Sequence, residues 1–364
     1  MSPIEDRARE GACNLLAGAA GLRRGETVLV VAEPPGGGFY DDRLAPIVAD
    51  AAAALGGQVR VIAPPLPTGP DAFPADVADA VASADCTVFL SRLGSRARFL
   101  ALPRQGRRIM SYTLDLAHLA ESFGRAPYGL FAEVHDRLVA RILAARRFTI
   151  HCANGTALEA GLPAGGGTDG GPLTQFAVSN FPMMIFPPVT AAAMSGRLAL
   201  TLSLISTGIH AYEDSVLELP EPVIFDVEKG RITGIVAGDP ALARRVEAHL
   251  DRVGHRFSCD ARRIDSWHTG LNPTTFYPGN ARADMERWGN IVFGSPRYTH
   301  FHMVGANPGE VCGQLFDATI AFDDEVFWDC GRFVFLDQPD MRDLAARHGA
   351  DPAVLQTRTD IGLD

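Results

Sequence analysis

The first part of the chain alternates short apolar runs with amphipathic stretches. TVLVVAE (27 to 33), QVRVIAP (58 to 64), CTVFLS (86 to 91) and RRIMSYT (107 to 113) have the length and β-branched content of strands, and the Ala-rich stretches 43 to 56 and 72 to 84 lie between them as helices. Such alternation predicts a parallel sheet with helices on both faces. A long helix is expected from Tyr128 to about Ala145, where Phe131, Val134, Leu138 and Ile142 mark one buried face and His135 sits beside it as a packing residue. From Phe148 the period changes. FTIHCANGTAL, GRLALTLSLIS, SVLELP, PVIFDVEKGRITGIVAG and RRIDSWHTG are alternating or β-branched runs, and EKG at 228 to 230 signals a hairpin. One helix interrupts them at 239 to 253, with Asp239 as N-cap before Pro240. The Gly-rich stretch 160 to 172 has no period and reads as a loop, either an active-site lid or a flexible excursion. The end of the chain reads as a last hairpin and a short helix starting near Pro339, with Phe327, Trp328, Phe333 and Phe335 as an apolar cluster suited to a core or a dimer contact. The expected architecture is an α/β Rossmann-like domain with a parallel sheet over 1–146, followed by a β-rich α+β metal-binding domain over 147–364.

Composition narrows the class of protein. A chain of 364 residues is long enough for two cores, and 47% hydrophobic with 21% charged residues is ordinary for a globular protein. The formal charge of -10 argues against nucleic acid or an anionic membrane as partner, since both need a basic face. The run MSPIEDRAREGACNLL carries acidic residues and no uninterrupted apolar stretch, unlike a signal peptide or a membrane span, so a cytoplasmic location is expected. The six cysteines show no C-x-x-C spacing, which in a reducing compartment predicts buried thiols.

The strongest chemical signal comes late. His268 in DSWHTGLNP and the pair His300 and His302 in YTHFHMVG fall within a 35-residue window. Residues two apart on a strand face the same way, so an H-x-H pair can aim two imidazoles at one ion, and a third from a neighbouring strand would complete a facial set. Three protein ligands leave positions open for water or substrate, the catalytic rather than the structural arrangement. The same residues also suit ordinary strand histidines with satisfied hydrogen bonds. In the first half, EPPGGGFY (33 to 40) matches no nucleotide-binding pattern and reads as a tight turn or a mobile loop over a cleft. SRLGSRARF (91 to 99) puts Arg92, Arg96 and Arg98 past the carboxyl end of a strand, where open α/β sheets bind ligands; a solvated basic loop is the plainer reading.

The order of NGT (154 to 156), NFPMMIFPP (180 to 188), the 218 to 250 segment, HTGLNP (268 to 273), ERWGNIVFG (286 to 294), HFH (300 to 302) and DEVFWDCGRFVF (324 to 335) resembles the metallopeptidase family of aminopeptidases S and T. The scaffold of that family is shared by 2,5-dihydroxypyridine 5,6-dioxygenase, a mononuclear iron enzyme. The peptidase pattern has glutamates in N-x-P-x-G-E and E-L-G-I-G-x-N-P; this chain has Met184 and Ile185 at the first and Ser266 at the second. Without those anions a pair of divalent cations would repel, so a single metal is implied. The H-x-D ending of the family appears here with His302 in place of the aspartate, giving three neutral histidines.

The resemblance implies a ring-cleaving dioxygenase acting on a small hydroxylated aromatic or N-heterocycle, with one divalent metal per chain, Fe(II) favoured and Zn(II) or Mn(II) as alternatives. His268, His300 and His302 would be ligands, Arg92 or Arg96 would hold a substrate carboxylate or phenolate, and Tyr277 or His210 would act as acid or base, although His210 in STGIHAYED on its own reads as a surface or packing residue. Dioxygen would be the co-substrate. The alternative is hydrolysis, in which zinc-bound water attacks an amide or ring substituent and Glu286, Asp265 or Asp317 serves as base. A metal-free binding protein on the same scaffold is the third reading. The family packs as dimers, which implies a homodimer.

Overall fold

The computed structural model describes residues 2–66, 73–98, 106–165, 178–206, 214–303 and 311–363. Most of the expected Gly-rich loop, and His210 with the residues around it from 207 to 213, lie outside them.

The predicted strands form where the apolar runs place them: β1 (Thr27–Ala32), β2 (Gln58–Ile62), β3 (Cys86–Leu90) and β4 (Arg107–Ser111). β5 (Arg147–His151) and β6 (Ala157–Gly161) begin a second sheet, and β7 (Ser179–Phe181) returns to the first. The first sheet is parallel throughout, in the order β2-β1-β3-β4-β7. β3 is buried at every position, whereas β2 at the edge is mostly exposed, with Val61 48% accessible. Helices Leu44–Ala54 and Ala75–Ala82 connect these strands. The long helix runs Tyr128–Ala144 and buries Phe131, Val134, Leu138 and Ile142, while His135 stays partly exposed beside Asp136.

β8 (Val189–Thr190), β9 (Ser195–Ser206), β10 (Leu217–Glu228), β11 (Arg231–Val236), β12 (Ile264–Thr269), β13 (Tyr298–Met303), β14 (Val311–Phe316), β15 (Thr319–Phe322) and β16 (Glu325–Trp328) make up the rest of the second sheet, which is antiparallel. The β10–β11 hairpin turns at Lys229 and Gly230, both at positive φ, as a two-residue hairpin requires. Helix Pro240–Phe257 is capped by the Asp239 side chain, which accepts from the Ala241 amide.

Two cores result. One gathers the first sheet and its helices, together with Trp288, Ile291, Val292, Tyr298 and Ile361 from far along the chain. The other fills the second sheet and contains the terminal aromatics, with Trp328 stacked on Phe333 at 4.8 Å between ring centroids. Phe327, Trp328, Phe333 and Phe335 therefore belong to a core within the chain. Of the six cysteines, all free, only Cys86 and Cys312 are buried as expected; Cys13, Cys152 and Cys259 are partly buried, and Cys330 is exposed at positive φ in the tight turn that follows β16. Among the described residues no helix is long and apolar enough to cross a membrane.

Candidate metal centre

The strands β12, β13 and β14 put the histidines together. His268 lies directly opposite His300 in the antiparallel register, and Ser266 lies opposite His302. On the next strand His300 faces Gln314 and His302 faces Cys312. With a side-chain period of two, one face of three adjacent strands carries Ser266, His268, His300, His302, Cys312 and Gln314. The intervening residues Trp267 and Phe301 point the other way, into the second core. Tyr298 and Phe316, which share the histidine face, pack against the first core, so the polar strip is turned toward it.

The strand ends are held by the Gly270–Pro273 turn. The Gly270 amide donates to the Tyr298 carbonyl at 3.1 Å and the Leu271 amide to the Met184 carbonyl at 2.9 Å. The Asn272 side chain donates to the Met183 carbonyl at 3.0 Å, and the Trp328 indole donates to the Gly270 carbonyl at 3.1 Å. A Cβ on Gly270 would lie 2.2 Å from backbone atoms of Gly294 and Ser295, so only glycine allows this approach. The segments NFPMMIFPP, HTGLNP and ERWGNIVFG thus meet beside the histidines.

One ligand atom from each of His268, His300 and His302 lies within 4.8 Å of the others, and among the described residues the group includes no carboxylate. The Nδ1–H of His268 donates to the Phe186 carbonyl at 3.0 Å, which leaves Nε2 as the free lone pair. That Nε2 is 3.0 Å from Nε2 of His302, and Nδ1 of His302 is 3.4 Å from the Cys312 sulfur. Nδ1 of His300 is buried without a hydrogen-bond partner among the described residues. Burial, the neighbouring His302 and the charge of Arg98 push the pKa of His268 down to about 3. Burial, His268, His302 and Arg98 likewise lower that of His300. Two neutral buried imidazoles, one with its tautomer fixed by a backbone carbonyl and one with a nitrogen left orphaned, beside a third within reach, suit a divalent cation. Nitrogens bound at right angles to one ion with bonds of about 2.0–2.1 Å stand roughly 3 Å apart, the spacing of the His268–His302 pair, and the His300 nitrogen within 4.8 Å is close enough to join them. Ser266, where the resembled family has a glutamate, is buried on the same face.

The other expected site residues in the described segments have partners of their own. Arg92, at the N-cap of the short helix Leu93–Ala97, donates from Nε and Nη2 to the two oxygens of Glu33 at 2.8 and 3.0 Å, and its guanidinium lies 4.6 Å over the Phe39 ring. The segment read as a basic loop is this helix, and the Pro-Gly segment before it supplies the carboxylate that holds Arg92. Arg96 is half-buried in its last turn. Arg98, which ends that helix, is the arginine whose charge reaches His268 and His300. Sequence spacing alone could not separate it from its two neighbours. Tyr277 is buried and hydrogen-bonded to Arg287, whose Nη2 also donates to Asp115 at 2.6 Å. Asp317 is held by Arg297 at 2.7 and 2.8 Å, and Asp265 stands 3.7 Å from Arg263. Cys312 was visible in the sequence only as one of six unpaired thiols, and it becomes a partner of His302 through the pairing of β13 with β14.

The fold is shared with proteins of known structure. The chain superposes on 2,5-dihydroxypyridine dioxygenase from Pseudomonas putida KT2440 with a TM-score of 0.55 and 15% identity, covering 89% of this chain and 96% of that one. It superposes on wild-type AmpT from Thermus thermophilus with a TM-score of 0.51 and 15% identity, covering 90% and 99%. At that identity the likeness is one of fold. No family model and no curated protein matches the sequence.

Proposed function

We propose that the chain is a mononuclear metal enzyme that cleaves a small hydroxylated aromatic or N-heterocyclic ring with dioxygen, Fe(II) being the favoured ion. The observation that carries this reading is the convergence of three imidazoles, two of them buried and held neutral, with no carboxylate in the group among the described residues. The fold held in common with a dioxygenase of a dihydroxylated pyridine supports the substrate class. An ion held by His268, His300 and His302 would supply a Lewis acid that brings ring hydroxyl and dioxygen together. Ring cleavage by a dioxygenase puts both oxygen atoms into the product, and the ring supplies the electrons, so no external reductant enters.

The residues of the chain divide the remaining work. The Phe186 carbonyl orients His268, and the Cys312 sulfur orients His302. Arg98, whose charge already reaches the histidines, is the proposed holder of a substrate phenolate or carboxylate; Arg96 lies two residues before it, and Arg92 is engaged by Glu33. Tyr277 and His210 are the proposed proton donor and acceptor. The first core covers the histidine face and would exclude bulk water. A homodimer and a cytoplasmic location are part of the same proposal.

A second reading is hydrolysis by zinc. A set of three neutral histidines is a known zinc environment in which the bound water has a pKa of about 7, and the fold is also that of AmpT. The two readings separate in one experiment. The metal-free protein is loaded anaerobically with Fe(II) or with Zn(II), then given 2,5-dihydroxypyridine with oxygen, or aminoacyl p-nitroanilides without it. Oxygen uptake matched to loss of the ring absorbance in the iron form alone is expected. Turnover of the anilides by the zinc form, with no oxygen uptake by the iron form, would replace ring cleavage with hydrolysis.

A further inference from the structure

A second set of nitrogen donors lies outside the strip. A cavity of about 290 Å³ opens beside helix Pro240–Phe257 and is lined by Asp214, Val216, Leu217, Arg245, Ala248, His249 and Arg252. That volume lies close to the lower end of the roughly 300–1,000 Å³ typical of small-molecule sites. Arg245 and Arg252 are exposed and two helical turns apart, so both guanidiniums stand on the same side of the helix. His249 between them is 1% exposed. Nη2 of Arg252 lies 3.4 Å from Nδ1 of His249. Only an unprotonated Nδ1 accepts from a guanidinium, which puts the ring proton on Nε2. That Nε2 is buried and has no hydrogen-bond partner among the described residues. Burial and the charge of Arg252 push the pKa of His249 down to about 4, so the ring is a neutral donor near pH 7.

An unmet buried N–H is costly, and native structures keep few of them without a reason. Two guanidiniums against one carboxylate leave the cavity net positive. Arg245 forms no ion pair among the described residues, so its charge is available to a ligand. We infer that this cavity is a binding site for a small organic anion, a phosphate or carboxylate compound. Arg245 and Arg252 take the anionic group, His249 donates from Nε2 to one of its oxygens, and Asp214 accepts from a hydroxyl or ammonium group on the same ligand. Guanidinium forks suit both oxyanions, and Val216 and Leu217 offer an apolar wall to the remainder. Its lining shares no residue with the histidine metal centre.

The test is titration of the full chain near pH 7.5 with inorganic phosphate and, separately, with citrate, followed by calorimetry and by the imidazole nitrogen resonances of His249. Saturable binding of one anion per chain is expected. Arg245→Ala and Arg252→Ala should each weaken it by about tenfold, the scale of a lost charge-assisted contact. Arg244→Ala, on the same helix outside the cavity, should leave it unchanged. His300→Ala should also leave it unchanged, which separates this site from any anion taken up by a metal. Binding of phosphate alone or citrate alone supports the site and assigns the anion. No saturable binding of either, or an equal loss in Arg244→Ala, overturns it.

Discussion

The histidine strip and the arginine contacts of the first core are both polar and buried, but they differ in how their groups are satisfied. Around Arg92 and Arg287 every charge meets an opposite one: Glu33 takes both ends of one guanidinium, and Asp115 takes the other together with the nearby His118. Burial alone would raise the Asp115 carboxyl, yet hydrogen bonds from His118 and Arg287 pull it down to about 2. On the strip, Nε2 of His302 stands 3.0 Å from the accepting Nε2 of His268, and a third ring nitrogen, Nδ1 of His300, has no partner among the described residues. Complete pairing belongs to packing; unmet valence in a dry place belongs to a ligand. The comparison teaches that a buried Arg92 is closed off by its carboxylate partner Glu33, whereas His300 keeps a buried ring nitrogen with no partner among the described residues.

The widest gap between the two regions should appear when one member of each is removed. His302→Ala is expected to lower metal affinity on the order of 1,000-fold or more, above the roughly 10–100-fold carried by supporting residues, with the far-ultraviolet dichroism unchanged; competition with a chromophoric chelator measures it. Arg92→Ala should do the reverse. It strands the Glu33 carboxylate, 4% exposed, and should cost about 3 kcal/mol in denaturant unfolding while metal affinity stays the same. A rise in Michaelis constant with no loss of stability would instead return Arg92 to the substrate.

Smaller effects refine the boundary. Cys312→Ala removes the partner of His302 and should weaken metal binding about tenfold, read by the same competition. Unchanged affinity would make the sulfur contact a packing accident. His249 provides the pH test. Its folded-state pKa of about 4 lies below the ordinary 6.5, so above 6.5 neither state is protonated and the group contributes no slope. Between 6.5 and 4 the unfolded chain takes up a proton that the folded chain refuses, and stability falls as pH falls. At pH 6 the loss relative to pH 7.5 should be roughly 1 kcal/mol. His249→Phe should show a flatter profile between pH 7.5 and 5 in urea unfolding; an unchanged slope would mean that His249 titrates normally.

Much of this was legible in the chain. Period-two alternation fixed β12 and β13, and the H-x-H spacing with His268 two residues after Ser266 put all three histidines on one face, which the register confirms. The helix Tyr128–Ala144 and the Asp239 cap followed from local pattern. What local pattern does not carry is pairing between distant segments. β7 joins the first sheet beside β4 although it follows two strands of the second, and the helix Met285–Val292 packs its Trp288 and Ile291 on the first core. Arg92, Arg96 and Arg98 have the same residue type and neighbourhood in sequence; only Glu33, 59 positions earlier, distinguishes the first of them.

The central claim is that the strip holds one metal ion, and it is tested most directly by elemental analysis of protein purified anaerobically from cells supplied with iron, zinc and manganese, alongside the His300→Ala variant. About one equivalent per chain in the wild type, absent from the variant, is the predicted result. A folded wild type with no bound metal, or a variant that keeps a full equivalent, would contradict it.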